Sequence, residues 1–370
     1  MPDPNIPTQS QYPTRIEVHS CGRLHFGLLE IAPGESNCFG GIGLMVEHSK
    51  ATVQATLTTS SKTQSPLGQC TIDADNYWRP RLESIVSHWH ETQHSMPIQS
   101  LSVAQAPRPH CGLGSGTQVA CTVATLLMAA EQVHSAQGAW ASLNLSVPAI
   151  LKNGYGNNNN EASFNVSRTK LAQLSRRGKR SSVGLSGFIE GGFVFDQGTS
   201  HSETTSVQTE RTKRIPFPEA WPILIIQNDH SLGDSGLAEA EMFDRCSKTS
   251  NPNRESMIKL VEQELLPSMA SGDWKHFDVA LGWYGQLAGE IFAIAQGGIY
   301  RTPQIAQAIE AARSIGIDSA TQSSWGPTVC AVAQDYSHAN WCAEQLRGAL
   351  PNASIHVVPA ANRSARVTLS

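Results

Sequence analysis

The chain has no CxxC pair, no basic excess and no apolar run that could cross a bilayer, and each absence removes a class of function. Its eight cysteines, at 21, 38, 70, 111, 121, 246, 330 and 342, show no metal-ligand spacing. They read as reduced, mostly buried thiols in a reducing compartment, not as a zinc site or a disulfide framework. The formal net charge of −4 disfavours a general nucleic-acid binder, which needs a basic excess. The longest apolar runs, such as "ILII" at 223–226, fall far short of the roughly 20 residues a spanning helix requires. Residues 1–13 carry Pro, Gln, Asn and Ser without an apolar core segment, and are expected to form a disordered tail, not a signal peptide. What remains is a cytoplasmic globular protein with no membrane or nucleic-acid partner. Its 370 residues suffice for two or three domain-sized lobes.

Periodicity gives a coarse map. Strand character is expected at 15–31, 40–60 and 98–107, with an amphipathic helix at 79–95 between them. A buried helix over 117–132 follows, then a low-complexity loop tip at 153–162 and a short helix at 167–177. Residues 178–198 read as a glycine-spaced basic loop feeding a strand, and 199–214 as a polar surface excursion. Beyond it come a strand at 221–229, helices at 237–248, 254–270, 277–295 and 302–316, a turn and strand at 323–335, and a closing helix and strand at 338–350 and 353–360. The elements interleave without a regular βαβ rhythm. This predicts an α+β fold of two lobes with a seam near 190–220.

The most informative stretch is "PHCGLGSGTQVACTVATLLMAAEQ", 109–132. Gly112, Gly114, Ser115 and Gly116 stand before some four turns of apolar helix that open at Thr117. The loop is neither a Walker P-loop nor a GxGxxG dinucleotide turn. Ser115 followed by Gln118 fits a capping box, making Ser115 the expected N-cap. A helix N-terminus is positive and rich in unpaired N–H groups, and glycines let an anion's oxygens come close. The motif therefore suits a phosphate or pyrophosphate; a glycine-rich packing turn is the plainer alternative. "RRGKRSSVG" supplies Arg176, Arg177, Lys179 and Arg180, a solvated charge run or a field for a small polyanion. In "GRLHFG", Arg23 and His25 share side-chain parity on a strand and can face one cleft. "QSSWGPTVCAV" places Ser323 and Ser324 at a tight turn.

Together these stretches resemble the GHMP superfamily of galactokinase, homoserine kinase, mevalonate kinase and phosphomevalonate kinase. The closer resemblance is to one branch, β-ribofuranosylaminobenzene 5'-phosphate synthase. "RLHFGLLE", "FGGIGLMV", "HCGLGSGTQ", "RRGKRSSVGLSGFIEGGFVFD" and "SSWGPTV" resemble that branch's motifs in the same order, from residue 15 to about 332. The resemblance implies a two-lobed GHMP fold: a ribosomal-S5-like N-terminal lobe over 14–200 and a ferredoxin-like C-terminal lobe over 215–365. It also implies a decarboxylating pentosyltransferase of methanopterin biosynthesis and one-carbon metabolism. Such an enzyme condenses phosphoribosyl pyrophosphate with 4-amino- or 4-hydroxybenzoate, releasing pyrophosphate and CO₂, with Mg²⁺ or a similar divalent cation as cofactor. Its partners are a phosphosugar and an aromatic acid; a homodimer is an open expectation. Arg23, His25 and Glu30 are implied as catalytic, Glu30 matching an often acidic position that would hold Mg²⁺ or orient a substrate. The glycine loop and the basic cluster are implied as phosphate-binding, and Asn37, Gly40, Gly41, Ser323 and Ser324 as substrate-binding. Asn37 stands where the branch usually has an arginine ahead of the Gly-Gly pair, so this position supplies no guanidinium fork. An ATP-dependent GHMP kinase and a non-catalytic phospholigand-binding member remain the alternatives.

Overall fold

The computed structural model describes residues 14–31, 39–57, 70–93, 96–135, 144–146, 168–178, 181–198, 211–228, 241, 245–246 and 251–370. The expected tail, the loop tip at 153–162 and most of the expected helix at 237–248 lie outside the described residues, as do Asn37, Lys179 and Arg180.

The first sheet is organised by two long strands. β1 (Arg15–Gly27) turns Ile16, Val18, Leu24 and Phe26 into the core, as a strand with one covered face requires. β2 (Gly41–Leu57) pairs antiparallel with β1 along its length, with register breaks at Ser20/Gly22 and His25/Gly27. These breaks divide the strand pair. The outer half of β2 meets β4 (Ile98–Gln105), itself flanked by the parallel edge strand β3 (Thr71–Asp73). The inner half of β2 meets β6 (Phe193–Asp196), which pairs in turn with β7 (Thr212–Ile215). On the other side of β1 lies the chain's last strand, β12 (Arg366–Leu369), and beyond it β5 (Asn144–Ser146), completing an eight-stranded sheet.

Helices cover this sheet. α1 (Arg79–Gln93) buries Leu82, Ile85, Val86 and Trp89. α2 (Ser115–Ser135) is buried through most of its length and shares a core with β1, β2, α1 and α3 (Arg168–Ser175). Residues 183–190, expected as part of a loop, instead form α4 (Val183–Glu190). Its glycines hid it from propensity reasoning. They are there for close approach: a Cβ on Gly184 would lie 2.7 Å from Arg23 Nη1, and one on Gly187 2.6 Å from Met45 Sδ.

The second sheet is four-stranded and antiparallel, in the order β11 (Ala353–Val358), β8 (Ile223–Asn228), β10 (Val329–Val332), β9 (Thr321–Gln322). α8 (Pro303–Ser314) and α9 (Tyr336–Ala349) bury their apolar faces on one side of it. On the other side lie α5 (Arg254–Leu260), its continuation through a π-helical turn into α6 (Leu266–Ser271), and α7 (Trp274–Gln296). That second core also takes in Leu24, Phe26, Leu44 and Phe193 of the first sheet, so one apolar cluster crosses the seam. Among the described residues no helix is long and apolar enough to cross a membrane. The described cysteines are free thiols, and all but Cys70 are buried.

Candidate active site

The glycine loop is held from both lobes. On one side, Arg23 N–H on β1 donates to Leu113 C=O at 2.9 Å. On the other, the β9–β10 turn closes over it: Ser323 Oγ accepts from His25 N–H at 3.1 Å and donates to Gly112 C=O at 2.6 Å. Ser324 N–H donates to His25 C=O at 2.7 Å, and the Thr328 hydroxyl donates to Cys111 C=O. Gly112 sits at φ +82°, and a Cβ there would lie 2.8 Å from Ser323 C=O, which accounts for glycine at this crossing. The capping box does not form. Gln118 N–H donates to Gly114 C=O at 3.0 Å, so Gly114, at φ +70°, occupies the cap position and Ser115 is already helical. The Gln118 side chain is fully buried and its amide atoms find no partner.

Guanidinium groups gather at this helix end. Arg23 lies against Gly114 and Gly184: a Cβ on Gly114 would be 2.9 Å from Arg23 Nε. A Cβ on Gly116 would collide with Arg81 Nη1 and come within 3.4 Å of Arg177 Nη2. Arg81, from α1, was not singled out by sequence reasoning. It lies 5.9 Å over the Trp78 ring, and no carboxylate among the described residues pairs with it. The usable signal was its place in the first turn of an amphipathic helix, which gives no hint of what stands opposite. Three cations gathered at a positive helix pole form a donor set of the kind an anion takes.

Arg23, Thr117, Arg176, Arg177, Gly178 and Ser181 form the cationic sector of a cavity of about 410 Å³, within the usual size for a small-molecule site. A second sector is apolar and aromatic. It is built by Phe26 on β1, by Leu28 just after it, by Phe292 on α7, and by Ile299, Tyr300 and Trp325. The Phe292 and Trp325 rings meet edge to face with centroids 4.4 Å apart. His25 lines the same cavity. Burial, followed by the Arg23 charge, lowers its pKa to about 3, so the imidazole is neutral. Nδ1 accepts from Gly27 N–H at 3.3 Å, which places the ring proton on Nε2.

The remaining sequence candidates fall elsewhere. Ser324 lines the cavity, but Ser323 is wholly buried and uses its hydroxyl as the brace described above, not as a substrate contact. Gly40 and Gly41 allow close strand packing and stand outside the lining: a Cβ on Gly40 would meet Asp196 C=O at 2.6 Å. Glu30 also stands outside the lining. Its buried carboxylate accepts from Ile31 N–H at 2.9 Å and from Asn251 N–H at 3.1 Å, fixing the approach to α5.

The described lining contains no carboxylate, and no cluster of three or more His, Cys, Asp or Glu that could hold a metal exists among the described residues. The carboxylate bonded to lining residue Ser181 is that of Asp196. It is already engaged by Ser181 Oγ at 3.2 Å, Ser182 N–H at 2.6 Å and Gly198 N–H at 3.0 Å. Guanidiniums without acids are the donor set of an anion site, not of Mg²⁺, which takes oxygen ligands. The described residues therefore do not fit a protein-held Mg²⁺.

No family model matches the chain. Curated relatives do. The β-ribofuranosylphenol 5'-phosphate synthase of Methanothermobacter thermautotrophicus is 22% identical over 331 residues, covering 86% of this chain and 88% of that protein. The protein of the same name from Archaeoglobus fulgidus is 24% identical over 327 residues, covering 86% and 87%. Among solved structures, mevalonate diphosphate decarboxylase from Enterococcus faecalis superposes with a TM-score of 0.59 at 14% identity over 96% of this chain and 99% of that one. Homoserine kinase from Cytophaga hutchinsonii superposes with a TM-score of 0.54 at 12% identity over 98% and 100%. The resemblance drawn from the five motifs is thus borne out: the chain has the GHMP fold and is similar along most of its length to the synthase branch.

Proposed function

We propose that this GHMP-fold chain, similar to the two synthases above, is a decarboxylating ribosyltransferase that joins phosphoribosyl pyrophosphate to a 4-substituted benzoate. The observation that carries the reading is the division of one cavity into a cationic and an aromatic sector. The phosphosugar supplies anions for the first, and the benzoate ring supplies a flat apolar face for the second. The relatives' name, after a ribosylphenol phosphate, favours 4-hydroxybenzoate as acceptor.

The chemistry follows from that division. As the C1–O bond to pyrophosphate breaks, negative charge grows on the leaving group and positive charge on the ribose. Arg23, Arg81, Arg177 and the N–H groups at the start of α2 stabilise the first change. The ring carbon that bears the carboxylate, made electron-rich by the para substituent, forms the new bond to C1. The bond to the carboxylate then breaks as CO₂, and its electron pair restores aromaticity. Phe26, Phe292 and Trp325 hold the ring and keep out water, which would otherwise capture the ribosyl cation. Neutral His25 acts as a fixed Nε2–H donor at the boundary, not as a proton shuttle. A divalent cation, where one takes part, would arrive with the pyrophosphate.

The test is direct. Purified protein given phosphoribosyl pyrophosphate and 4-hydroxybenzoate or 4-aminobenzoate, with Mg²⁺ in the buffer, is expected to release CO₂ and pyrophosphate in equal amounts. No CO₂ from either benzoate, with ATP turned over against a small alcohol, would replace this reading with the kinase.

A further inference from the structure

The cations around the glycine loop extend past the cavity wall. Arg177, just after α3, lines the cavity. Its Nη2 would lie 3.4 Å from a Cβ on Gly116, the position that also meets Arg81 Nη1. Arg81 itself stands beyond the lining. The two guanidiniums therefore carry the positive surface from the cavity to the outer side of the loop.

Two side chains that the proposed function leaves unused stand on that side. Tyr77 precedes α1 and is pinned there: Tyr77 N–H and Trp78 N–H donate to Asp75 Oδ1 at 2.9 and 2.8 Å. Its ring meets Trp78 and His110 edge-on, with centroids 4.8 and 5.5 Å away, and Tyr77 Oη is hydrogen-bonded to His110 Nε2. His110 enters the glycine loop at φ +54°, a conformation uncommon for a residue with a side chain and one that clusters at ligand sites. The pair is not core packing: its hydrogen bond lies at the surface, and Tyr77 is 41% exposed. The Arg81 and Arg177 charges reach the phenol and favour its anion, but burial outweighs them and, with Asp75, raises its pKa. The hydroxyl thus keeps its proton beside two cations, where it can donate to an anion.

We propose that Tyr77, oriented by His110 and flanked by Arg81 and Arg177, is an outer subsite for the terminal phosphate of the leaving pyrophosphate. A phosphate bound there selects one arrangement of the pair. His110 Nε2–H donates to Tyr77 Oη, and the phenol O–H is then turned outward to the phosphate oxygen; the reverse arrangement would spend that hydrogen on the imidazole. Tyr77 touches the ligand and His110 is a positioning residue that acts through it. No proton changes owner. The inference rests on the function proposed above and adds the direction in which the product leaves. With its ribose end in the cavity and its terminal phosphate at the exposed pair, pyrophosphate departs to solvent without crossing the aromatic sector. The donors also meet the oxygens on which negative charge grows as the C1–O bond breaks.

Calorimetry on the full chain tests this with inorganic pyrophosphate and, separately, ribose 5-phosphate. Tyr77→Phe removes the hydroxyl and keeps the ring, and is expected to weaken pyrophosphate binding about 10-fold with ribose 5-phosphate unchanged. His110→Leu should match that loss. His110→Gln, which keeps an N–H donor at similar reach, should restore most of the affinity, a rescue that a packing role for the imidazole would not give. Unchanged pyrophosphate affinity in Tyr77→Phe overturns the proposal. So does an equal loss for both ligands, which would assign the subsite to the sugar phosphate. If Tyr77→Phe does not fold, the two His110 variants decide: equal affinities in Leu and Gln overturn the proposal, and loss with rescue supports it. If wild-type protein binds pyrophosphate but releases no CO₂ with any benzoate, the function reading fails and the same titrations still judge Tyr77.

Discussion

Replacing Gly116 with alanine should move stability and ligand affinity in opposite directions. Gly116 is in the first turn of α2 and is not among the residues with positive φ. Alanine is therefore conformationally welcome, and helix propensity favours it by up to about 1 kcal/mol. The added Cβ would collide with Arg81 Nη1, the far end of a flexible side chain, while Arg177 Nη2 at 3.4 Å is only crowded. The guanidinium of Arg81 swings aside and the fold does not yield. What is lost is one cation from the cluster at the helix pole. A hydrogen bond to a charged group contributes about 1.5–3 kcal/mol, which corresponds to roughly a 10- to 140-fold weaker Kd. Calorimetric titration with pyrophosphate measures that loss, and urea unfolding of the same preparations measures stability. Arg81→Met should reproduce the binding loss, and combining it with Gly116→Ala should add little, since both remove the same contact. An unchanged pyrophosphate affinity in Gly116→Ala, or full additivity with Arg81→Met, would refute the placement of Arg81 in the anion site.

Three further outcomes are expected. Ser323→Ala strands His25 N–H and Gly112 C=O, and should lower the unfolding free energy by about 1–3 kcal/mol, read as a shifted urea midpoint. His25 takes a proton only near pH 3 when folded against 6.5 ordinarily, so the unfolded chain binds it first as pH falls. Its contribution to stability is therefore full above about 6.5, and declines toward 3 at up to about 1.4 kcal/mol per pH unit. His25→Asn should flatten that slope in urea midpoints measured from pH 4 to 7, and an equal slope would place the titration elsewhere. Finally, Mn²⁺ added to the protein without a phosphorylated ligand should stay free by electron paramagnetic resonance, whereas a stoichiometric bound signal would show a metal site the described residues do not provide.

The sequence carried the parts of this molecule that follow from local pattern. The apolar helix after the glycine loop, the alternation of "RIEVHSCGRLHFG" and the parity of Arg23 and His25 all express short-range rules, and all are found. What it could not express is which groups meet across the chain. Gln118 three residues after Ser115 looks like a cap, but the helix is deeply buried and its end is set by Gly114. Glu30 looks like a site acid, yet Asn251, more than two hundred residues away, claims its carboxylate. α4 was hidden because its glycines serve neighbours from β1 and β2, not its own backbone. Arg81 and Gln296 sit in ordinary helical surroundings in the sequence, and only the packing of α1 and α7 brings the first beside Gly116 and the second to the cavity.

The placement of β12 also bears on how the chain is made. Residues 366–369 follow the whole second sheet in sequence, yet they fill an interior position of the first, between β1 and β5. Until they dock, β1 lacks one of its two neighbours along residues 16–19. Lobe-by-lobe folding during synthesis is closed to this topology: the first sheet keeps an exposed edge until the segments that build the second have been made.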